Sequence, residues 1–229
     1  MSGTDETIAV IGGTGALGSA LALRLARAHY RVVIGSRDAA KAAAAARALN
    51  GALGAEAIAS ADNASAAAEA ALVILAVPYA AERATVAEIR AALAGKLLID
   101  ATAPLVPPRV GRVQLPEGGS AVAAVQALLG KDVRVVSAFQ TVAAAKLKKA
   151  GATVEGDVLV CGDDEGARAR VIALAGAIGL RGVDAGPICN SAAAEALTSV
   201  LIAINRRYKL PGSGIRITGL EAVRRDQGA

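Results

Sequence analysis

The sequence predicts an α/β fold in which a doubly wound, mostly parallel sheet carries helices on both faces. Three observations lead to this prediction. Short apolar runs bounded by Gly, Pro or Asp alternate with longer Ala-rich stretches of helical character. A glycine-rich loop directly follows the first apolar run. The run Leu72–Val77 is continuously apolar, which is typical of a strand covered on both sides.

The first part of the chain, residues 1–150, is predicted to form a domain of alternating strands and helices. The strands are expected at Ile8–Ile11, Arg31–Ile34, Ala55–Ala59, Leu72–Val77, Lys96–Asp100 and Val133–Ala138. The helices are expected between them at 17–28, 38–49, 64–70, 80–94 and 120–129. Ala-rich tracts have high helix propensity, so they are interpreted as helices and not as linkers.

After about residue 150 the alternation changes, and residues 151–229 are predicted to form a smaller C-terminal lobe packed on the sheet. It should contain two strands around a helix, then a long helix and a short apolar run. These elements are expected at Val158–Cys161, 165–178, Arg181–Asp184, Ser191–Tyr208 and Ile215–Thr218. The lobe is too short to be an independent helical domain, so we expect it to close the substrate cleft.

Composition excludes several classes of function. Of the 229 residues, 54% are hydrophobic and only 2% are aromatic, so Val, Ile, Leu and Ala must form the core. The net charge is +5, but the basic residues are scattered and stacking aromatics are nearly absent. A nucleic-acid interface needs both a basic patch and stacking residues. We therefore expect small anionic ligands and no nucleic-acid partner.

A cytoplasmic location without membrane attachment is expected from three features. The segment MSGTDET has no charged region followed by an apolar one, as a secretory signal would. The uncharged apolar run from Ala70 to Ala81 is too short to span a bilayer. Cys161 and Cys189 have no partners at disulfide or zinc spacing, so both are interpreted as reduced thiols in the core.

The glycine loop carries the pattern G-x-G-x-x-G at Gly13, Gly15 and Gly18. It follows a predicted strand and opens a predicted helix, the context that makes this pattern informative. Gly13 should permit the tight turn, Gly15 should let a pyrophosphate approach the backbone, and Gly18 should let helix and strand pack closely. The helix N-terminus then offers amides and partial positive charge to the anion. The fold is therefore predicted to be of the Rossmann, dinucleotide-binding type.

The end of the second strand indicates which dinucleotide is bound. An acidic residue here would hold the 2′-hydroxyl of NAD, but the sequence places Ser36 and Arg37 there. Lys41 lies one helical turn beyond Arg37 and can point to the same anion. Asp38 is expected to cap the following helix. Because guanidinium and ammonium groups suit a phosphate, NADP is predicted.

At this point the sequence resembles a known family, the NADPH-dependent coenzyme F420 reductases. The matching segments, in family order, are GGTGALG, GSRDAAK, AVP, VVSAFQTVAAAKL, CGDD, DAGPICNS and the terminal GIRI. They cover nearly the whole chain. The resemblance implies an oxidoreductase that transfers hydride between NADP and the deazaflavin coenzyme F420, and a homodimer.

The resemblance also implies positions for both cofactors. It places the NADP phosphates on Thr14, Ala16 and Leu17, the 2′-phosphate on Ser36, Arg37 and Lys41, and the nicotinamide near Ala76, Val77 and Pro78, with backbone near Ala144 orienting it. It lines the deazaflavin cleft with Gln140, Thr141 and Val142. Gln140 departs from the family, which often has His there, so the acceptor could be F420 or another compound.

No residue is predicted to act as a catalytic acid, base or metal ligand. Direct hydride transfer needs positioning and exclusion of water, and the chain has no Y-x-x-x-K pattern. His29 is interpreted as an exposed helix-end residue. Asp100 and Thr102 are expected to anchor a loop, with a catalytic role as the alternative. Asp163 and Asp164 are expected in a turn.

Several alternatives remain open from the sequence. Arg206, Arg207, Lys209 and Arg216 either hold the acidic tail of F420 or serve as the usual cations at a helix C-terminus. The function could instead be that of an imine or pyrroline-carboxylate reductase, a flavin reductase, a non-catalytic NADP(H) sensor, or the reductase domain of a membrane metalloreductase. The residues after about 150 are too few for the long helical C-terminal domain of imine and pyrroline-carboxylate reductases. The sequence also has no haem ligands, which a membrane metalloreductase would need.

Overall fold

The computed structural model describes residues 6–148 and 154–220. Eight strands form one sheet in the order β3-β2-β1-β4-β5-β6-β7-β8. The strands are β1 Thr7–Ile11, β2 Arg31–Gly35, β3 Ile58–Ala61, β4 Leu72–Leu75, β5 Leu97–Asp100, β6 Arg134–Ser137, β7 Asp157–Gly162 and β8 Arg181–Asp184. All neighbours are parallel except β6 and β7. The chain order reverses beside β1, so β1 and β4 flank the switch point where such sheets bind ligands.

Helices connect the strands and cover both faces. They are α1 Ala16–Arg27, α2 Ala39–Leu53, α3 Asn63–Glu69, α4 Tyr79–Ile89, α5 Ala121–Leu129, α6 Ala144–Leu147, α7 Glu165–Ala177 and α8 Ser191–Tyr208, with short 3-10 turns at Arg90–Leu93 and Ile188–Asn190. Side-chain caps fix several starts: Asp38, Ser120 and Asp164 each accept an amide from the first helical turn.

The core consists of two apolar layers, one on each face of the sheet. Alternate residues of β1 belong to different layers: Ile8 and Val10 lie in one, and Ala9 and Ile11 lie in the other. All four are fully buried. Because both faces are covered, the strands have the continuous apolar sequence of a buried parallel sheet, as predicted.

The predicted strand between α2 and β4 is shifted. It was expected at Ala55–Ala59 but lies at Ile58–Ala61. The buried side chain of Asn50 closes the turn before it, accepting the amides of Ala57 and Ile58 and donating to the Ile58 carbonyl. Helix α2 consequently continues to Leu53, and the strand begins later than its apolar residues suggest.

The C-terminal elements extend the same sheet. Strand β7 pairs with β6 through Val136↔Gly162 and Ser137↔Cys161. The short run Ile215–Thr218 is irregular, but its Ile215 carbonyl accepts the Asp157 amide at 2.7 Å. The boundary proposed at residue 150 lies outside the described residues.

The last helix is apolar along most of its length. The stretch Ile188–Tyr208 is long and apolar enough to cross a membrane by length and composition alone, and about a third of it is buried. The sequence analysis considered only the run Ala70–Ala81 as a membrane span and did not consider this helix. Glu195 lies within this stretch, is 1% exposed and caps α5 through its carboxylate. This contact packs α8 against α5, and a single such helix is weak evidence for a membrane span.

Candidate functional site

The glycine loop forms a compact turn between β1 and α1. Gly12 adopts a left-handed φ of +81° and donates its amide to the Gly35 carbonyl at 3.1 Å. The turn therefore depends on Gly12 as well as on Gly13, and the sequence analysis did not single out Gly12. Gly13 is required for space, because a Cβ there would overlap Ile34 in β2. A Cβ on Gly18 in α1 would likewise overlap the Gly12 carbonyl. This close approach confirms the predicted packing role of Gly18.

The outer side of the loop is open. Thr14, Gly15 and Ala16 are exposed and Leu17 is half-buried. Helix α1 begins after Gly15, which has no side chain to cap it, and its first turn contains no acidic residue. The first amides of α1 thus keep their hydrogen-bonding capacity and partial positive charge for an anion. The prediction of a phosphate-binding loop fits this geometry.

The end of β2 presents the predicted cation group, although one member is already paired. Arg37 is exposed and makes no hydrogen bond or ion pair within 6–148 and 154–220. Ser36 accepts the Asp38 amide at 3.2 Å. Lys41 is turned to Asp38, with Nζ 3.4 Å from its carboxylate. The backbone hydrogen bond from Lys41 lowers the pKa of Asp38, so this carboxylate is charged at neutral pH.

Asp38 has the capping role expected of it, since its carboxylate accepts the Lys41 amide at 3.0 Å. An exposed ion pair such as Lys41–Asp38 contributes little to stability and exchanges readily with solvent. Arg37 is therefore the cation of this group that is immediately available to a phosphate.

The segment after β4 lies against the glycine loop. The Ala76 amide donates to the Ile11 carbonyl at 2.9 Å. A Cβ on Gly12 would meet the Ala76 carbonyl and Val77 Cγ1, so the two loops are in contact. Pro78 is exposed at the start of α4. The structure thus brings Ala76 and Val77 together with the loop, at the carboxyl ends of β1 and β4.

The short helix α6, which the sequence analysis missed, begins at Ala144 and packs against α1. Arg24 of α1 donates from Nε to the Leu147 carbonyl at 2.8 Å and from Nη1 to the Ile178 carbonyl at 2.9 Å. These bonds fasten α6 and the end of α7 to the helix that begins at the glycine loop. Ala144 is half-buried at the first position of α6.

Two of the three predicted deazaflavin residues direct their side chains inward. Gln140 is 6% exposed and donates from Nε2 to the Asp100 carbonyl at 2.8 Å and to Ser137 Oγ at 2.9 Å. Thr141 is 4% exposed and donates to the Asp157 carbonyl at 3.2 Å. Their side chains anchor the strand ends, so only their backbone and half-buried Val142 are available at the surface of a cleft.

Three buried carboxyl groups lie at the same edge, and the sequence analysis did not connect them. They are Glu82 of α4, Asp100 of β5 and Glu195 of α8, with exposures of 4%, 0% and 1%. Asp100 accepts the Thr102 amide at 2.8 Å, the loop anchor expected of this pair. The three residues are far apart in sequence, so no spacing rule could have identified the cluster.

The remaining candidate residues lie in turns, at a helix end or in a strand. Asp164 caps α7 and Asp163 accepts the Ile188 amide, as turn residues should. No group of metal-ligating side chains occurs within the described ranges. His29 is exposed at the end of α1. Cys161 is buried, but Cys189 is exposed, so the expectation that both thiols lie in the core is wrong for Cys189.

The C-terminal arginines lie on two segments of the chain. Arg206 and Arg207 are exposed at the end of α8. The chain then turns back, placing Ser213 Oγ 3.5 Å from the Leu201 carbonyl. Arg216 lies beyond this point, where its charge lowers the pKa of Asp157 at the start of β7. A role for these cations in holding the acidic tail of F420 stays a prediction.

Comparisons with known proteins agree with this geometry. Residues 7–104 match the family described as NADP oxidoreductase coenzyme F420-dependent. The F420-dependent NADP reductase of Methanocaldococcus jannaschii is 42% identical over 222 residues, covering 93% of this chain and 99% of that protein. That of Methanothermobacter marburgensis is 39% identical over 220 residues, covering 93% and 98%.

A solved structure has the same fold. It is titled as an F420-dependent NADP reductase from Arthrobacter sp. FB24, with 27% identity and a TM-score of 0.78 over 92% of this chain and 98% of that one. The full-length similarity, the glycine loop and the reversal of strand order beside it are consistent with one another. The chain belongs to the F420-dependent NADP reductase family.

Proposed function

We propose that this protein is an oxidoreductase that transfers a hydride directly between NADP(H) and coenzyme F420. The observation that carries the proposal is the open glycine loop beside Arg37, in a chain related over nearly its whole length to F420-dependent NADP reductases. The loop suits a pyrophosphate and the unpaired guanidinium suits a 2′-phosphate. Fold alone would not identify the reaction.

NADP would bind along the carboxyl edge of β1, β2 and β4. Amides at Thr14, Ala16 and Leu17 would hold the pyrophosphate, and Gly15 leaves room for it, because a Cβ there has only the Gly12 carbonyl at 3.2 Å as a close neighbour. Ser36 and Arg37 would hold the 2′-phosphate, with Lys41 joining after release from Asp38. The nicotinamide would lie at Ala76–Pro78, with Ala144 beside it.

The deazaflavin would stack on the nicotinamide near Val142 and the backbone of Gln140 and Thr141. NADPH supplies a hydride, and this chain's contribution is to hold the two rings together and exclude water. The inward hydrogen bonds of Gln140 and Thr141 would keep that backbone rigid. This role needs no ionisable side chain. The presence of Gln140 instead of His therefore does not argue against F420.

We also propose that the protein is a cytoplasmic homodimer. Exposed apolar side chains concentrate on α8 and the adjoining loop, at Val106, Val113, Leu115, Val200, Tyr208 and Leu210. Gly111 of that loop lies against Ala203 of α8, so the two segments form adjoining surface. Exposed apolar side chains on adjoining segments suit contact with a second copy of the chain.

The proposal is tested by mixing the protein anaerobically with NADPH and oxidised F420 while following the absorbance of the deazaflavin. We expect F420 to be reduced, with FMN and FAD reduced far more slowly and NADH much less effective than NADPH. Tight NADPH binding without reduction of any acceptor would support the sensor alternative. Reduction of FMN or an imine in preference to F420 would support a different reductase.

A further inference from the structure

The buried carboxyls Glu82, Asp100 and Glu195 differ in how they are compensated. Glu195 accepts Ser120 Oγ at 2.6 Å and the Ala121 amide at 2.8 Å, both at the start of α5. A carboxylate at a helix N-terminus with several donors is stable in its charged form. Glu195 therefore needs no proton.

Glu82 and Asp100 lack such compensation. Asp100 Oδ2 and Glu82 Oε1 are both buried, and among the described residues they face each other and the Thr102 hydroxyl, which can donate only one hydrogen bond. The two carboxyl groups lie within hydrogen-bonding reach of each other, but a bond between them needs a donor. Two carboxylates cannot donate, so one of them must carry a proton. The geometry describes a pair that shares one proton, as closely placed acids do.

The ionisation of the pair agrees with this geometry. Burial, then the charge of Asp100, raises the pKa of Glu82 to about 9, and burial raises that of Asp100 to about 6. The nearby charge of Glu195 acts in the same direction on both. Between these values the pair holds one proton and one negative charge.

The cation that lines the cavity beside the pair is exposed. On its other side Glu82 lines a cavity of about 630 Å³ between α4 and α5, where Tyr79, Arg83 and Glu117 are the other titratable groups. Arg83 and Glu117 are both exposed, so solvent screens them. The charge of the pair is consequently sensitive to any ligand charge placed nearby.

The pair lies next to the segment proposed for the nicotinamide. Asp100 is in register with Leu75 of β4, and the Ala101 amide donates to the Leu75 carbonyl at 2.9 Å. Ala76 follows Leu75 directly, and Glu82 lies one turn into the helix that begins after Pro78. Leu75 and both carboxyl groups are buried, so a charge at Ala76–Pro78 would act on the pair with less screening than in bulk water.

We infer that the Glu82–Asp100 pair couples its shared proton to the charge of the bound nicotinamide, releasing it more readily with NADP⁺ than with NADPH. The inference rests on the proposed function, because it needs NADP at this edge. The O–H bond of the pair breaks, its electrons stay on the carboxylate, and the proton passes to solvent. The nicotinamide ring carries one positive charge in NADP⁺ and none in NADPH, so the resulting carboxylate stabilises only the oxidised form.

The sign of the pH dependence follows. NADP⁺ lowers the pKa of the pair, so its affinity increases as the pH rises towards about 9, where the free protein loses the last proton. A lowering by about one unit would raise the affinity for NADP⁺ relative to NADPH by up to about tenfold. The pair would therefore favour binding of NADP⁺ over NADPH in alkaline solution. This effect adds to the pH dependence that the proton of the overall reaction already causes.

The experiment is isothermal titration calorimetry of NADP⁺ and NADPH at pH 8, in buffers of different ionisation enthalpy, which gives the protons released on binding. The 2′-phosphate contributes equally for both nucleotides, so the difference between them reports the pair. We expect NADP⁺ to release more protons than NADPH, by a fraction of one proton per protein chain. Glu82→Gln, which keeps a donor but cannot ionise, should remove the difference and still bind both nucleotides.

Glu117→Gln, at the same cavity but exposed, is the matched control and should keep the difference. If both nucleotides bind and release equal numbers of protons, the inference is overturned, and the unmodified protein alone decides this should Glu82→Gln fail to fold. A difference that persists in a folded Glu82→Gln protein also overturns it. If neither nucleotide binds, the proposed function fails first, and the inference fails with it.

Discussion

The backbone of Gly18 lies against the carbonyl oxygen of Gly12, so closely that a Cβ on Gly18 would overlap it. Helix α1 consequently begins directly on the turn that Gly12 makes with its left-handed φ of +81°. The Gly15 amide closes the same turn by donating to the Gly12 carbonyl at 2.9 Å. The proposed phosphate site is therefore a rigid unit whose shape depends on the absence of side chains.

Replacing Gly18 by alanine should disturb this unit. The added methyl group must displace the Gly12 carbonyl, which we expect to destabilise the protein by about 1–3 kcal/mol and to weaken NADPH binding at least about tenfold. Denaturant unfolding and a fluorescence titration with NADPH measure the two effects. Gly51→Ala is the control, because a Cβ there meets nothing within 4 Å. NADPH affinity unchanged in Gly18→Ala would contradict the assignment of the loop.

The choice of NADP over NAD should depend on Arg37. Removing a charged hydrogen bond to a phosphate costs about 1.5–3 kcal/mol, so Arg37→Ala should weaken NADPH binding roughly ten- to a hundredfold with little change for NADH. Lys41→Ala should have a smaller effect, since Lys41 is paired with Asp38. Arg47→Ala, an exposed arginine elsewhere on α2, should affect neither nucleotide. Equal weakening of NADPH and NADH by Arg37→Ala would remove the 2′-phosphate from this position.

The buried carboxylate of Asp157 should make the free energy of unfolding depend on pH in the acid range. Burial raises the pKa of Asp157, but hydrogen bonds from Arg181 at 2.5 and 2.7 Å and from the Ile217 amide outweigh it and hold the pKa below its ordinary value of 3.8. Since the folded pKa is lowered, the stabilisation is complete above about pH 4 and is lost as the pH falls through the folded pKa.

Asp157→Asn should lower the free energy of unfolding by about 2–3 kcal/mol at pH 7 and flatten its dependence on acid pH. Urea unfolding between pH 3 and 7 measures this. Asp132→Asn, an exposed aspartate, should leave the curve unchanged. An unaltered acid dependence in Asp157→Asn would show that the Arg181 contact does not stabilise the fold.

The sequence analysis predicted the strands and helices best where a pattern is local. Apolar runs and the glycine loop identified the parallel sheet and its carboxyl edge, and the segment GSR placed Ser36 and Arg37 at the end of β2. The start of β3 could not be predicted, because the side chain of Asn50 sets it through hydrogen bonds across a turn. The inward orientation of Gln140 is also a tertiary effect, since its partner Asp100 is 40 residues away.

The cluster of buried carboxyl groups could not be predicted from the sequence for the same reason. Glu82, Asp100 and Glu195 come from three elements, and only the packing of α4 and α8 on the sheet brings them together. Each looks like an ordinary surface or strand-end residue in the sequence. A carboxyl predicted to lie on the buried face of α4 would have been the one available signal.

The two cysteines should differ in reactivity but neither should be needed for hydride transfer. Burial raises the pKa of the Cys161 thiol to about 11, so it remains protonated and unreactive at neutral pH. Cys189 is exposed and should react alone with a thiol reagent in the folded protein. Cys161→Ser and Cys189→Ser should retain most activity in the NADPH–F420 assay. Severe loss in a folded variant would reveal a thiol-dependent step.

Direct hydride transfer is the central claim, and isotope tracing tests it most directly. NADPH deuterated at the transferred position of nicotinamide C4 is mixed with oxidised F420 and the protein in ordinary water, and the reduced deazaflavin is analysed by mass spectrometry. Rings held in contact with water excluded should pass the label intact, so we predict one deuterium per reduced F420. Reduced F420 without deuterium, its label lost to water, would contradict direct transfer between the two bound rings.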